Sequence, residues 1–321
     1  MDKTKLVYFL PIIAGICWGS VGVFVRFLNA GGLDNYTIVC TRMIVSTIIL
    51  GLFLLITNRE NFKIPKKAIV VLIIGAVVGS SYMNVVYNVA ILHLHLALSS
   101  VLIGLFALWA LFLGRIFFGE KITRRKVICI IVALVGVVLV TGALEKTDFG
   151  TLSLYGLFMG IMCGIMYAVN GVTTRVLSDW GLKSTTINFW YFLIGAISLL
   201  PLCNWGQVTA YVSADPLTAI AWLIGQSLVC MILPYLVFTV ALSKMEIALA
   251  GTLELVEPAA ALMWGLVLFG EVPTPLMVVG VVVVIVALAM TMRTPNAKSS
   301  SGPGGDGQPL PPEQETALSE G

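Results

Sequence analysis

The chain has 321 residues, 59% of them hydrophobic and 11% charged, with a mean hydropathy of +1.00. A soluble domain carries about 25% charged residues, so the composition excludes an ordinary water-soluble protein. The formal net charge of +3 says little by itself, and no nucleic-acid partner is expected.

Long uncharged runs such as Ala68 to Leu92 and Leu276 to Met292 match the ~20 apolar residues that a ~30 Å hydrocarbon layer requires. Polar breaks divide the chain into ten expected membrane helices, an all-α polytopic fold. The first, Val7–Leu28, holds Gly15 and Gly19 at a spacing suited to close helix packing, then Trp18, Gly22 and Arg26. The second, Tyr36–Thr57, carries Arg42 at ~9 Å depth, too deep to reach water easily; pairing with a carboxylate and binding an anionic group of the substrate both fit, and the structural pairing is preferred. The third, Ala68–Leu92, presents Ser80, Asn84, Tyr87, Asn88 and Ile91 on one face, with His95 just beyond. A polar face inside a bilayer must look at protein or water, and the wall of a cavity is the preferred reading over bonding between helices. The fourth, Ala97–Phe118, ends near Arg115 and is followed by Gly119-Glu120; the fifth is Val127–Ala143.

The sixth, Leu152–Val176, repeats small residues at Gly156, Gly160 and Gly164 and carries a stripe of Cys163, Tyr167, Asn170 and Thr174. After the seventh, Thr185–Cys203, the eighth (Leu217–Leu242) has Pro234 in mid-span beside Tyr235 and Phe238, where a lost backbone donor kinks a helix. The ninth, Ala248–Phe269, carries Glu254 and Glu257 one turn apart, with Trp264 beyond. Glu257 lies ~14 Å in, where charge costs about 2.5–3.5 kcal/mol; it is expected to be neutral, paired or facing water. The tenth is Leu276–Met292, and residues 294–321, rich in Ser, Gly and Pro, read as a disordered tail. Cys17, Cys40, Cys129, Cys163, Cys203 and Cys230 all fall within spans without CxxC spacing, and His93 and His95 share no helix face; no metal, cofactor or disulfide framework is expected.

With the amino terminus placed in the cytoplasm, fifteen of the 19 Lys and Arg residues fall on the cytoplasmic side, only Lys146 falls outside, and Arg26, Arg42 and Arg115 lie within spans. The positive-inside rule then puts both termini in the cytoplasm and the chain in the inner membrane.

The chain also repeats itself. Gly15 to Leu28 aligns with Gly164 to Leu177 at an offset of 149, pairing Trp18 with Tyr167 and Arg26 with Arg175. Tyr87 to Ser100 aligns with Phe238 to Gly251, and Phe117–Glu120 with Leu268–Glu271, at an offset of 151. Residues 1–144 and 145–293 are therefore two five-helix halves of opposite orientation, the inverted repeat from which alternating-access carriers are built. The symmetry predicts that Trp18 and Tyr167 face each other; stacking on a substrate and packing in the core both fit them.

Cys17-Trp18-Gly19-Ser20, Arg42, Glu257-Pro258 and Gly270-Glu271 resemble the ten-helix, EamA-type members of the drug/metabolite transporter superfamily. The resemblance covers both halves, but Phe106-Ala107 stand where Glu-Pro is the pattern, so in the first half it rests on Gly119-Glu120. It implies a secondary carrier, often an exporter, for amino acids or related metabolites. The residues themselves suit a small amine-bearing molecule held by Trp18, Asn84, Tyr87, Asn88, Tyr167, Asn170, Tyr235, Phe238, Glu257 and Trp264, with Glu257 as the coupling group, through protons. A lipid flippase is the rival among carriers. A scaffold or sensor predicts no polar central stripe, and an enzyme predicts a motif such as HExxH or GxSxG, which is absent. A monomer and a homodimer are both compatible with the pattern.

In a background without native cysteines, Lys66→Cys is expected to react with impermeant maleimide only from the cytoplasmic face, and Lys146→Cys only from outside. Labelling of both from one face would overturn the orientation.

Overall fold

A computed structural model describes residues 6–94, 96–142, 144 and 153–293, apart from the side chains of residues 88, 91, 92, 96–98 and 100. Lys146, His95, the Asn88 side chain and the tail lie outside the described residues.

The described residues are helical, and nine helices among them are long and apolar enough to cross a membrane: Phe9–Ala30, Asn35–Thr57, Ala68–Tyr87, Val101–Phe118, Leu154–Asp179, Ser184–Leu202, Pro216–Lys244, Ile247–Phe269 and Pro275–Met292. The expected fifth span is a helix of only 17 residues, Arg124–Val140. Its start is set by Thr123, whose hydroxyl oxygen accepts from the Lys126 N–H at 3.3 Å. Thr274 caps the tenth span in the same way, accepting from Met277 at 3.3 Å. An amphipathic connection between the seventh and eighth spans also forms a helix, Trp205–Ala214, capped by Asn204; no such helix was expected there.

Packing follows the repeat. The first span lies on the eighth and ninth, while their counterparts, the sixth, third and fourth, pack together in the same way; the second pairs with the seventh, and the fifth with the tenth. The central spans are interrupted at matching places. The fourth is two helices, Leu96–Gly104 and Phe106–Phe118, and the ninth is Ile247–Glu254 and Glu257–Phe269. The third passes through a π-helical stretch at Val77–Tyr82 and the eighth through one at Leu228–Ile232. The eighth was expected to bend at Pro234; its irregular turn lies just before that proline, and Pro234 sits in the first turn of the regular helix that follows, Leu233–Lys244. Wide turns and broken helices inside a membrane are tolerated where they line protein or a cavity.

Small residues let the first span approach the break in the ninth. A Cβ at Gly15 would sit 2.8 Å from the Glu254 carbonyl oxygen, and one at Gly19 would sit 2.8 Å from both the Ala261 nitrogen and the Glu257 carbonyl oxygen. A Cβ at Gly22 meets nothing within 4 Å. Gly19→Ala is therefore expected to lower stability by about 1–3 kcal/mol through overpacking, whereas Gly22→Ala should be neutral or gain up to about 1 kcal/mol. Thermal denaturation in detergent checks this, and equal midpoints for the two variants would contradict the packing.

Candidate substrate site

Where the two halves meet, the Trp18 ring stands edge-on to Tyr167 at 6.4 Å, Tyr235 at 5.2 Å and Phe238 at 5.5 Å between centroids. Phe106 packs on the far side of Tyr167 at 4.6 Å. Trp18 and Tyr167 thus face each other as symmetry requires, and all four aromatic partners are buried. Edge-to-face geometry places the positive rim of one ring on the negative face of another.

Two chambers flank this cluster. One of about 470 Å³ is lined by Phe106, Tyr167, Glu254 and Thr141; the other, of about 440 Å³, by Trp18, Arg42, Asn84 and Arg26. Both are lined by Tyr87, Glu257 and Glu271. Glu257 begins the second half of the ninth helix, and the break there aims its carboxyl at both chambers.

Glu254, one turn earlier, is enclosed: its Oε1 accepts a short hydrogen bond from the Tyr167 hydroxyl, and its Oε2 is buried with no partner. Arg42 is 7% exposed, forms no ion pair among the described residues, and its Nε has no hydrogen-bond partner. The expected carboxylate partner is therefore missing among the described residues: Arg42 lines a chamber whose acids, Glu257 and Glu271, do not come within ion-pair distance of it.

Other expected residues stand elsewhere. Asn170 is buried with its Cα and Cβ against the position of Gly79 and lines neither chamber. Trp264 donates from its indole to the Ile16 carbonyl at 3.3 Å and ties the ninth span to the first; it too is outside both linings. Tyr235 and Phe238 reach the chambers only through the Trp18 ring they support. Asn84 donates to the Ser80 carbonyl at 2.7 Å, which leaves its amide oxygen free to face the chamber.

The ends of the hollow are built alike. Gly119 and Gly270, with φ of 65° and 66°, end the fourth and ninth spans in the left-handed region, a conformation that favours glycine at a helix C-terminus. Each turn folds the next residue, Glu120 or Glu271, back over a second glycine: a Cβ at Gly114 would lie 2.6 Å from a Glu120 carboxylate oxygen, and one at Gly265 would lie 2.7 Å from the corresponding oxygen of Glu271. An arginine from the opposite half meets each carboxylate. Arg175 donates to Glu120 at 2.8 Å and to the Met245 carbonyl at 3.1 Å; Arg26 donates to Glu271 at 2.5 Å.

The two pairs differ in environment. The Arg175 and Glu120 side chains are 8% and 4% exposed, those of Arg26 and Glu271 52% and 51%. Beside the buried pair, Lys126 and Glu246 form a second buried ion pair. Burial pushes the Glu120 carboxyl up, against the opposing pull of Arg175. The basic end of the bundle is sealed, and the chambers run from the protein's middle toward the Arg26–Glu271 end. Neither partner of these pairs was among the expected site residues; the aligned Arg26/Arg175 and Glu120/Glu271 positions carried the signal.

A model of the EamA-like transporter family matches residues 5–142 and, a second time, residues 154–293. The chain is 22% identical to an uncharacterized transporter of Archaeoglobus fulgidus, covering 84% of this chain and 90% of that protein. It is also 22% identical to a probable terminal-alkyne amino-acid exporter of Streptantibioticus cattleyicolor (87% and 91% covered) and to the pseudopaline exporter of Pseudomonas aeruginosa (88% and 94%). A solved crystal structure superposes with a TM-score of 0.71 at 13% identity, over 90% of this chain and 96% of that one; this shows the shared fold.

Tyr167→Phe should strand the buried Glu254 carboxyl at a cost of about 1–3 kcal/mol. The same change in a Glu254→Leu background should cost much less. Equal losses of denaturation midpoint in the two backgrounds would contradict the coupling of these residues.

Proposed function

The chain belongs to the EamA-like transporter family and is a multi-pass membrane transporter; on that premise we propose that it exports a small amine-bearing metabolite, such as an amino acid, across the inner membrane by alternating access. In this reading both termini are cytoplasmic, residues 1–144 and 145–293 are the halves that rock, and Glu257 binds the amine or exchanges a proton as access alternates. The reading is supported by the relatives named as exporters of an amino acid and of pseudopaline.

The observation that carries it is the unlike state of two like ion pairs. Arg175–Glu120 and Arg26–Glu271 join equivalent residues of the two repeats, yet one is buried and the other is exposed. In an inverted repeat, exchanging the conformations of the halves exchanges those environments. The buried pair then acts as a closed cytoplasmic gate and the exposed pair as the rim of an open outer gate. Interfaces of this kind are bistable because packed elements shift between discrete arrangements.

Weakening the closed gate tests the proposal. Glu120→Gln removes the charge that Arg175 engages and should shift the population toward the inward-open state. In cysteine-free liposomes Ile247→Cys, which is 2% exposed, should gain reactivity toward impermeant maleimide by roughly tenfold, an equilibrium shift of about 1.4 kcal/mol. Asn29→Cys, exposed at the other end, should lose reactivity in the same background. Unchanged reactivity at both positions would contradict alternating access.

The role of Glu257 has its own check. Glu257→Gln keeps the shape and hydrogen bonding of the side chain but cannot ionise. It should fold and insert as wild type while losing pH-dependent or amine-dependent flux in liposomes. Wild-type flux with the same pH dependence would make Glu257 a structural residue.

A further inference from the structure

Cys40 and Cys203 are far apart in sequence and side by side in the fold. Cys40 is fully buried near the start of the second span, and Cys203 is half-buried just past the end of the seventh. The two thiols share a side-chain hydrogen bond. Two helix starts clasp each other to hold them there. Asp34 caps the second span by accepting from the Thr37 N–H at 2.8 Å, and its own N–H donates to Gln207 Oε1 at 2.9 Å. Asn204 caps the helix Trp205–Ala214 by accepting from the Gln207 N–H at 3.3 Å, and its own N–H donates to Thr37 Oγ1 at 3.0 Å. The residue after Cys203 is thereby fixed on Thr37, one turn before Cys40. The turn Leu200–Leu202 also packs on the second span, so the two backbones lie alongside each other, as a disulfide requires.

We propose that Cys40 and Cys203 are an oxidation site, whose reversible disulfide staples the second span, in the first half, to the seventh, in the second. This rests on the orientation proposed above, which puts both thiols at the outer face; disulfides persist in oxidising outer compartments and are rare in the cytosol. The oxidant is an external disulfide. Cys203, the more exposed of the two, attacks it as a thiolate, forming a mixed disulfide and releasing one thiol. Cys40 then gives up its proton, displaces the second thiol and closes the Cys40–Cys203 bond. Two protein thiols are oxidised, one external disulfide is reduced to two thiols, and both protons leave on them. Closing so long a loop restricts the unfolded chain, so oxidation stabilises the protein. Cys17 and Cys230, by contrast, lie in mid-span, away from any aqueous oxidant.

Full-length protein in detergent is treated with oxidised glutathione, trapped with acid, unfolded and labelled with polyethylene-glycol maleimide. Reduced wild type should carry six adducts, one per cysteine, and oxidised wild type four, with six restored by dithiothreitol. Mass spectrometry should find one peptide pair, joining Cys40 to Cys203. Cys203→Ser should keep five adducts throughout, whereas Cys40→Ser should trap glutathione on Cys203. Oxidation should also raise the wild-type denaturation midpoint by about 3 °C or more, and leave that of Cys203→Ser unchanged.

Six adducts after oxidation, a bridge through any other cysteine, or a wild-type midpoint that does not move would overturn the assignment. So would wild type acid-trapped from aerated cells with all six thiols free. Labelling of Lys66→Cys and Lys146→Cys reports the orientation without any oxidation, so that reading stands or falls separately.

Discussion

A left-handed glycine followed by a glutamate is made twice in this chain, and much of the rest depends on it. The glycine stops a long membrane helix. The turn then lays the carboxylate back over a second glycine one helical turn earlier, where no side chain blocks it, and an arginine from the other half closes on it. The result is a charge pair that bridges the halves instead of staying within one. Inside a bilayer such a pair must be enclosed by protein or open to water. Arg175–Glu120 is enclosed and Arg26–Glu271 is open, so the pairs record which way the hollow faces. The neighbouring Lys126–Glu246 pair reinforces the sealed end alone.

The middle of the protein departs from symmetry where chemistry needs it to. Trp18 and Tyr167 are symmetry mates of different character: one ring lines a chamber and rests edge-on against aromatic neighbours, while the other carries a hydroxyl that donates to one oxygen of Glu254. Glu257 has Phe106 as its counterpart, and Phe106 stacks beside Tyr167 instead of presenting charge. At this matched position one half therefore supplies an acid and the other an aromatic ring.

Much of this was legible in the sequence because bilayers impose strong patterns. Apolar run length located the spans, and the offsets of 149 and 151 placed Trp18 opposite Tyr167 and aligned both arginines and both glutamates. The breaks at Leu105 and at Leu255–Val256 were not legible, since hydropathy averages over a helix and does not sense lost backbone hydrogen bonds. The π-helical stretches were hidden for the same reason, and Pro234 was a misleading marker because proline sits well in the first turn of a regular helix. Trp264 and Asn170 share faces with site residues in sequence, but their side chains turn to the Ile16 carbonyl and the Gly79 contact. Whether an arginine at depth meets an acid or a cavity is a matter of tertiary distance, and the sequence around Arg42 carries no trace of it. The fifth span falls just short of full length because the helix that Thr123 starts ends at Val140, before the expected Ala143.

The central claim is that the two ends of the hollow open in alternation. Double electron–electron resonance measures it directly, with spin labels at Lys121 and Lys183 across the sealed end and at Asn29 and Val272 across the open one, all exposed positions. Glu120→Gln should lengthen the first distance and shorten the second within the same sample. Distances that stay fixed, or that lengthen together, would contradict the account.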